Sequence, residues 1–468
     1  MTDIAEIDLA NAGRRVTGHG MDAWLDEAWE LLKLAGPLAA TQVAQMIIMG
    51  TDMLMLGHFS TTALASATIG NTIFFFAWLM GFGPASAVSP MIAHILGAWP
   101  DNRAGVRAVV RMGLWSVLIV SLPLFVLLQF AEPILLLLDQ KPMLAEGAGH
   151  FVSALAFGLP FTIGYQVLRN YTTALSRPVA PLIVMGVTIV FNALLDYILI
   201  FGNFGAPRLG LQGSGIASAC SFAFSFIAMV VVIWLTPGLR KYRIFRRFRR
   251  PHWEKLGEVF WLGVPIGLTT IFEAMLFNSA TLVMGTFGVA SVAAHQISLL
   301  VPSFTFMVPL GIAMAATVRV GLASGARDIE AARRAGYGAI LMGTAFMALM
   351  SIVLWSFPRE IASLWVADPV ADAKVIALAV VFLHVAAAFQ VFDGMQVVAA
   401  LSLRGLKDAR MPMWIAAGSY WLVGAPVGLW LAFGLGMKGL GIWIGLALAL
   451  GVVAGLMCWR FWYLTRAR

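Results

Sequence analysis

Twelve long runs of apolar residues constrain this chain more than any other feature. A helix needs roughly 20 apolar residues to cross a bilayer core of about 30 Å. Backbone amides in hydrocarbon must pair internally, and the runs are continuous rather than alternating, which favours helices over a barrel. The sequence predicts spans at about 31–56, 63–97, 105–130, 148–174, 179–202, 211–236, 257–285, 289–322, 334–357, 373–402, 411–434 and 439–463.

The composition excludes a soluble globular protein. Hydrophobic residues make up 60% of the chain and charged residues 12%, whereas soluble domains carry about 25% charged residues. Cys220 and Cys458 lie in apolar stretches, which excludes a disulfide framework and a cysteine zinc site. The acidic first thirty residues contain no apolar run, so they predict a cytoplasmic tail rather than a secretory signal. Residues 21–33 of this tail are expected to form an interfacial helix.

The basic residues predict the orientation. If both termini are cytoplasmic, 26 of the 31 Lys and Arg residues lie in cytoplasmic segments. Such segments of membrane proteins carry an excess of Lys and Arg, so we expect a multi-pass protein of the inner membrane with both termini in the cytoplasm. The same count predicts that no Lys or Arg lies deep in the membrane. The basic cluster at 239–250 is expected to lie against anionic lipid headgroups rather than to bind nucleic acid.

The two halves of the chain resemble each other at an offset of 228 residues. Among other matches, this offset pairs Pro37 with Pro265 and Gly83 with Gly311. Halves that begin on the same side are related by an axis along the membrane normal. The predicted fold is all-α, with two pseudo-symmetric six-helix lobes around a central cleft. The predicted domains are a cytoplasmic tail (1–29), an N-lobe (30–237), a basic linker (238–253), a C-lobe (254–464) and a C-terminal tail (465–468).

Four acidic residues fall inside the predicted spans: Asp52, Asp196, Glu273 and Asp393. A buried carboxylate costs several kcal/mol unless it is paired or protonated, and the sequence places no basic residue at that depth. Asn192 lies one turn before Asp196, so both side chains share a helix face. We expect Asp52, Asn192 and Asp196 to form one polar site and the other two acids a second, each holding H⁺ or Na⁺. The alternative for each acid is a structural hydrogen bond.

Two prolines lie within predicted spans. Pro37 in span 1 and Pro265 in span 7 each remove a backbone hydrogen bond and can bend the helix. The bend is either a static kink or a hinge that responds when a nearby acid changes its protonation. The hinge is the sharper of the two hypotheses.

The sequence contains no motif that favours an enzyme over a membrane protein with ion-binding acids. The run Gly434-x-Gly436-x-x-Gly439 matches a dinucleotide fingerprint but joins two spans and follows no strand. The sequence has no Walker A, HExxH or GxSxG motif, and its seven histidines show no ligand spacing. We therefore expect neither an enzyme nor a cofactor other than a coupling ion.

Four segments resemble a known family. They are residues 51–59 (TDMLMLGHF), 191–197 (FNALLDY), 265–273 (PIGLTTIFE) and 389–405 (FQVFDGMQVVAALSLRG). Together they resemble the MATE (multidrug and toxic compound extrusion) transporters, nearest to the NorM-like branch, over nearly the whole chain. The resemblance implies antiport, in which Na⁺ or H⁺ enters while an organic, often cationic and aromatic drug leaves.

The resemblance also assigns residues. Asp52, Asn192 and Asp196 match the N-lobe coupling site of the family. Glu273 and Asp393 match its C-lobe cation site, which makes this pair the candidate Na⁺ site. Phe389 stands where some Na⁺-coupled members have Tyr, and Asp196 stands where NorM-like members often have Asn. These departures slightly favour protons in the N-lobe.

The sequence thus predicts a monomeric, cation-coupled multidrug efflux antiporter that works by alternating access. Its expected partners are small-molecule drugs, organic cations and membrane lipid. One alternative is a flippase of the same superfamily for lipid-linked precursors, which would favour a basic cavity. A second is a membrane-embedded transferase, which would need clustered His, Asp or Ser at the membrane surface. A third is a non-transporting scaffold, which leaves the four unpaired acids without an explanation.

Overall fold

The computed structural model describes residues 20–246, 248–366 and 372–466. Within these ranges the chain forms helices and no strands, which confirms the predicted fold class. Eleven helices are long and apolar enough to cross a membrane, and one bent pair makes a twelfth if it forms a single span. We label them α1 (Met21–Phe59), α2 (Thr61–Ala98), α3 (Arg103–Leu128), α4 (Pro142–Ala156 with Leu159–Ala174), α5 (Val179–Phe201), α6 (Gly210–Leu235), α7 (Trp253–Gly285), α8 (Val289–Gly325), α9 (Ile329–Ser356), α10 (Ala373–Gly405), α11 (Arg410–Gly434) and α12 (Gly439–Thr465).

Helix α1 begins earlier than the sequence predicted. Residues 21–33, expected to form an interfacial helix, are instead the first part of one continuous helix of 39 residues. The spacing of the buried residues Ala23, Glu27, Leu31 and Leu34 places them on one helix face. Leu31 and Leu34 belong to a large apolar core built mainly from α7 to α12. The helix predicted at residues 21–33 is therefore present, but it is continuous with the first span and one of its faces packs on protein; its interfacial position stays a prediction.

Helix α4 is bent where the sequence predicted a continuous span at 148–174. Its two halves meet at an angle of 47°. Pro160 lies in the first turn of the second half, where a proline starts a helix easily but cannot continue the hydrogen bonds of the preceding one. A Cβ atom on Gly158 would lie 2.7 Å from the Phe222 ring, so the bend brings α4 against α6.

The chain divides into two compact units, and the divisions fall inside helices α1 and α7. The N-unit is Thr41–Gly267, and the C-unit is Met1–Ala40 together with Leu268–Arg468. Each division follows a proline within three residues, Pro37 in α1 and Pro265 in α7. The lobes predicted at 30–237 and 254–464 follow the sequence repeat instead, and they stay a prediction.

The first part of α1 belongs to the C-unit and the first part of α7 to the N-unit. In each unit, one glycine allows a neighbouring helix to pack closely against the backbone of that part. Within the C-unit, a Cβ atom on Gly311 of α8 would lie 2.6 Å from the backbone nitrogen of Ala39. Within the N-unit, a Cβ atom on Gly83 of α2 would collide with the carbonyl oxygen of Gly263. The two glycines are the pair that the 228-residue offset matched. Both units therefore use a glycine at the same position of the repeat for close helix packing. In each unit, that glycine packs against the first part of a helix whose remaining part belongs to the other unit.

Candidate functional site

Helix α5 brings a line of polar side chains into the N-unit. Its buried residues recur every four positions, at Val184, Thr188, Asn192, Asp196 and Ile200. The intervening side chains are largely apolar and more exposed. A single buried stripe on an apolar helix therefore carries three polar residues in succession, and the i, i+4 spacing aims them in one direction.

Asp52 of α1 meets this stripe. Ser218 Oγ on α6 donates a hydrogen bond of 2.8 Å to Asp52 Oδ2. Asp52 also lies within interaction range of Asn192 and Asp196, and Asp196 lies within range of Ser214. The structure thus brings together the three residues that the sequence grouped in one N-lobe site.

The N-unit cluster keeps polar atoms without partners. Among the described residues, Asp52 Oδ1, both Asp196 oxygens and both polar atoms of Asn192 have no hydrogen bond of normal geometry. Nor does any ion pair in the described part of the chain involve Asp52 or Asp196. Buried polar groups are almost always hydrogen-bonded. Two neighbouring carboxylates without a cation are stable together only if they share a proton or a small cation.

The C-unit holds the second pair of acids in a different arrangement. Tyr420 Oη donates to Gln396 Oε1 at 2.9 Å, and Gln396 Nε2 donates to Glu273 Oε1 at 3.1 Å. Asp393 lies close enough to Glu273 for the two carboxylates to repel each other. The structure therefore brings Glu273 and Asp393 together, with Gln396 and Tyr420 fixing the position of Glu273.

Arg404 corrects the prediction that no basic residue accompanies the acids. The sequence placed Arg404 in a cytoplasmic loop, whereas the structure places it in the last turn of α10. Glu273 and Arg404 lie close enough for their charges to attract. The sequence did not place this cation near Glu273 because α10 continues three residues beyond the predicted span.

Sequence reasoning also missed a buried ion pair within the C-unit. Arg319 of α8 donates from Nε to Glu27 Oε1 at 2.7 Å and from Nη2 to Glu27 Oε2 at 2.6 Å. Both side chains are buried, with 6% and 4% of their surface exposed. The sequence assigned Glu27 to the N-terminal tail. The signal that could have placed it is its position one turn from Ala23 and Leu31 on the apolar face of α1.

A buried arginine of the N-unit has neutral partners instead. Arg169 of α4 donates from Nη1 to the amide oxygens of Gln42 and Gln45, the latter at 3.2 Å. Its Nε has no partner within the described residues. At the 228-residue offset, Gln45 corresponds to Glu273. The N-unit thus has an amide where the C-unit has an acid.

The geometry leaves the ion at the C-unit pair open. In the described part of the chain, no three His, Cys, Asp or Glu residues form a group that could hold a metal ion. Glu273 and Asp393 supply carboxylate oxygens, which suit a hard cation. Phe389 packs its ring against Phe277 and Trp443 and adds no oxygen. Na⁺ at this pair stays a prediction, and so does the hinge role of Pro37 and Pro265.

Comparison with a family model supports the internal repeat. The MatE model matches the chain twice, over residues 37–198 and 265–430. The two matches begin 228 residues apart, which is the offset of the repeat. Each match begins at one of the two prolines.

Proteins of known sequence resemble this chain over almost its whole length. A probable multidrug resistance protein NorM from Mesorhizobium japonicum is 44% identical over 94% of both chains. The multidrug resistance protein NorM from Burkholderia vietnamiensis is 39% identical over 97% of both chains.

Solved structures share the fold. The crystal structure of a eukaryotic MATE transporter matches with a TM-score of 0.83 at 23% identity and covers 93% of this chain and 96% of its own. A MOP superfamily transporter from Pyrococcus furiosus matches with a TM-score of 0.84 at 18% identity and covers 98% and 99%. From the two matches to the family model and the close relatives, this multi-pass membrane protein belongs to the MatE family.

Proposed function

We propose that this protein is a cation-coupled multidrug efflux antiporter. It exports organic, often cationic and aromatic compounds across the inner membrane in exchange for H⁺ or Na⁺. It works as a monomer, and both termini are cytoplasmic. The observation that carries the proposal is the pairing of Asp52 with Asp196, because no cation accompanies these carboxylates within the described residues. The names of its relatives support the substrate class.

Coupling follows from the chemistry of two carboxylates in a dry site. Because they repel each other at low dielectric, the pair binds a proton or a small cation tightly. A conformation open to the outside takes up the ion, and a conformation open to the cytoplasm releases it. The ion shifts the balance between the conformations because it binds them with different affinities.

A cationic drug and the coupling ion compete for the same negative charge. Once the ion neutralises the cluster, the electrostatic attraction for the drug is lost, and the drug is released outward. Discharge of the ion on the cytoplasmic side restores the charge and resets the cycle. Glu273 and Asp393 provide a second acidic pair that takes part in the same competition.

Two of the buried arginines, Arg319 and Arg169, favour this proposal over a precursor flippase. A flippase for lipid-linked pyrophosphates needs basic groups that are available to an anionic substrate. Arg319 is neutralised by Glu27. Arg169 is held by two glutamine oxygens. Neither side chain is presented as an open basic site.

The test is transport of a fluorescent organic cation in proteoliposomes, with the pH gradient and the Na⁺ gradient imposed separately. We expect Asp52→Asn and Asp196→Asn each to reduce gradient-driven transport at least about tenfold, the equivalent of roughly 1.4 kcal/mol of ion binding. Asp139→Asn is the matched control, because Asp139 is exposed in a loop with φ of 57°, a conformation that Asn tolerates. Undiminished transport in both site variants would contradict the proposal. The gradient that drives transport identifies the coupling ion.

A further inference from the structure

The basic segment between α6 and α7 is bound to the N-unit. We call residues 239–246 and 248–250 the strap; residue 247 lies outside the described residues and is not part of it. Arg107 Nε of α3 donates to the carbonyl oxygen of Tyr242 at 2.9 Å, and Arg111 Nη2 donates to that of Arg250 at 2.8 Å. Trp115 Nε1 donates to the carbonyl oxygen of Phe248 at 3.0 Å. Three donors spaced four residues apart on one face of α3 therefore hold the backbone of the strap.

Apolar side chains fix the strap from the same side. Leu239, Tyr242 and Ile244 are buried. The rings of Phe248 and Trp115 stack at 6.1 Å. Tyr171 of α4 donates from Oη to the carbonyl oxygen of Leu239 at 2.8 Å. The backbone and the apolar side chains of the strap thus face the protein, and its conformation is set before any ligand binds.

The charged side chains of the strap are exposed. The exposed cations among the described residues of the strap are Arg240, Lys241, Arg243, Arg246, Arg249 and Arg250. Within the described part of the chain, none of these six cations forms an ion pair with an acid. Asp101 lies within electrostatic range of Tyr242, Glu254 is exposed at the start of α7, and Glu258 pairs with Lys255. The strap therefore carries a dense positive charge that these acids do not neutralise.

Exposed aromatic rings accompany this charge. Trp234 lies at the end of α6 and Trp253 at the start of α7, with 60% and 68% of their surface exposed. Phe245, in the strap itself, is 40% exposed. The guanidinium of Arg240 lies 5.2 Å from the centre of the Trp234 ring. Tryptophans at the ends of membrane helices lie at the level of the lipid headgroups, so the cations of the strap face the same layer.

We propose that the strap is a preorganised binding surface for anionic phospholipid headgroups of the cytoplasmic leaflet. Arginine guanidinium groups bind phosphate oxygens with charge-assisted hydrogen bonds, while the neighbouring rings contact the glycerol and upper acyl region. Because α3 and α4 already hold the backbone, binding costs less conformational entropy than it would for a free basic tether. All the anchors belong to the N-unit, so bound lipid holds the N-unit to the leaflet. This proposal does not depend on the transported substrate or on the coupling ion.

The test compares the protein with the variant Arg243→Gln/Arg246→Gln/Arg249→Gln. These substitutions remove three exposed charges and keep the backbone carbonyls that α3 binds. The purified protein in neutral detergent is titrated with phosphatidylglycerol or phosphatidylcholine, and bound lipid is counted by native mass spectrometry. Each charge near an anionic surface contributes about 1 kcal/mol, or roughly fivefold in affinity. We therefore expect the triple variant to bind phosphatidylglycerol at least about tenfold more weakly, with binding of phosphatidylcholine unchanged.

Two further variants separate the strap from charge in general. Arg327→Gln/Arg333→Gln removes two charges near the α8–α9 connection, beside Asp328 and Glu330, and should leave lipid affinity within twofold of the parent. Trp115→Phe keeps every charge but removes the bond to Phe248, and should weaken phosphatidylglycerol binding a few-fold. Equal affinity of the parent and the triple variant would overturn the proposal. So would displacement of the lipid by equimolar inorganic phosphate or by a single-stranded RNA.

Discussion

The two acidic sites differ in how their charge is balanced. In the N-unit, Asp52 and Asp196 are joined only by neutral side chains, and within the described residues no cation pairs with them. In the C-unit, Arg404 attracts Glu273, and Gln396 holds it in place. If all the carboxylates are ionised, the C-unit site carries one negative charge fewer. The comparison indicates that the N-unit site has the stronger need for an ion.

The two buried arginines Arg319 and Arg169 differ between the units in the same way. The C-unit neutralises Arg319 with Glu27, while the N-unit surrounds Arg169 with two glutamines. The two halves keep similar helices and packing glycines but differ in which positions are ionisable. A duplicated scaffold can therefore carry two electrostatically different sites, because packing depends on shape and ion binding depends on charge.

The largest expected effect concerns the ion pair of the C-unit. Glu27→Ala leaves the Arg319 guanidinium buried without its acid, and removal of one partner of such a pair costs about 3–5 kcal/mol. Thermal or chemical unfolding in detergent measures this loss. Glu258→Ala in α7 is the control, because the Glu258 side chain is 41% exposed and pairs with Lys255, and exposed pairs contribute below about 1 kcal/mol. Similar losses in both variants would show that the buried pair contributes no more to the free energy of unfolding than an exposed pair does.

The packing glycines test how far the two units are alike. Gly83→Ala and Gly311→Ala each force a methyl group against backbone atoms, and overpacking of this kind costs about 1–3 kcal/mol. We expect equal losses, measured by the same unfolding assay. Gly186→Ala in α5 is the control, since no atom lies within 4 Å of its added Cβ. A loss of stability in only one of the two variants would show that the two glycine contacts are not structurally equivalent.

A smaller effect is expected when the C-unit site is made to resemble the N-unit site. Arg404→Gln removes the cation that attracts Glu273, so the acidic pair should bind a coupling cation about tenfold more tightly, or roughly 1.4 kcal/mol. The measurement is the Na⁺ concentration, or the H⁺ concentration, that gives half-maximal transport in proteoliposomes. Lys407→Gln, one turn beyond Arg404, is the control. An unchanged half-maximal concentration would show that Arg404 does not tune the site.

Much of this protein could be predicted without its structure. The apolar spans and the absence of strands follow from hydropathy, because every helix in hydrocarbon must satisfy its own backbone. The spacing of Asn192 and Asp196 placed both on one face of α5, and the structure buries that face. The repeat was visible as Pro37 and Pro265, where the two matches to the family model begin.

The exceptions have two physical causes. The bend of α4 follows Pro160, a local signal that hydropathy does not report. The sequence also did not show the continuous start of α1, the approach of Arg404 to Glu273 or the pair of Glu27 with Arg319, and these depend on contacts between helices that are distant in the chain. Local hydropathy reports which residues avoid water, whereas it does not report which partner a long charged side chain meets.

The sequence by itself determined the helical class, the repeat and the acids that fall in apolar spans, because the membrane imposes these features on each segment separately. Only the tertiary structure decided which acid has a cation within electrostatic range and which, among the described residues, does not. It also decided that the basic linker lies against α3 as a strap. These outcomes depend on distances of a few ångströms between side chains, and the energy of a buried charge changes steeply over that range.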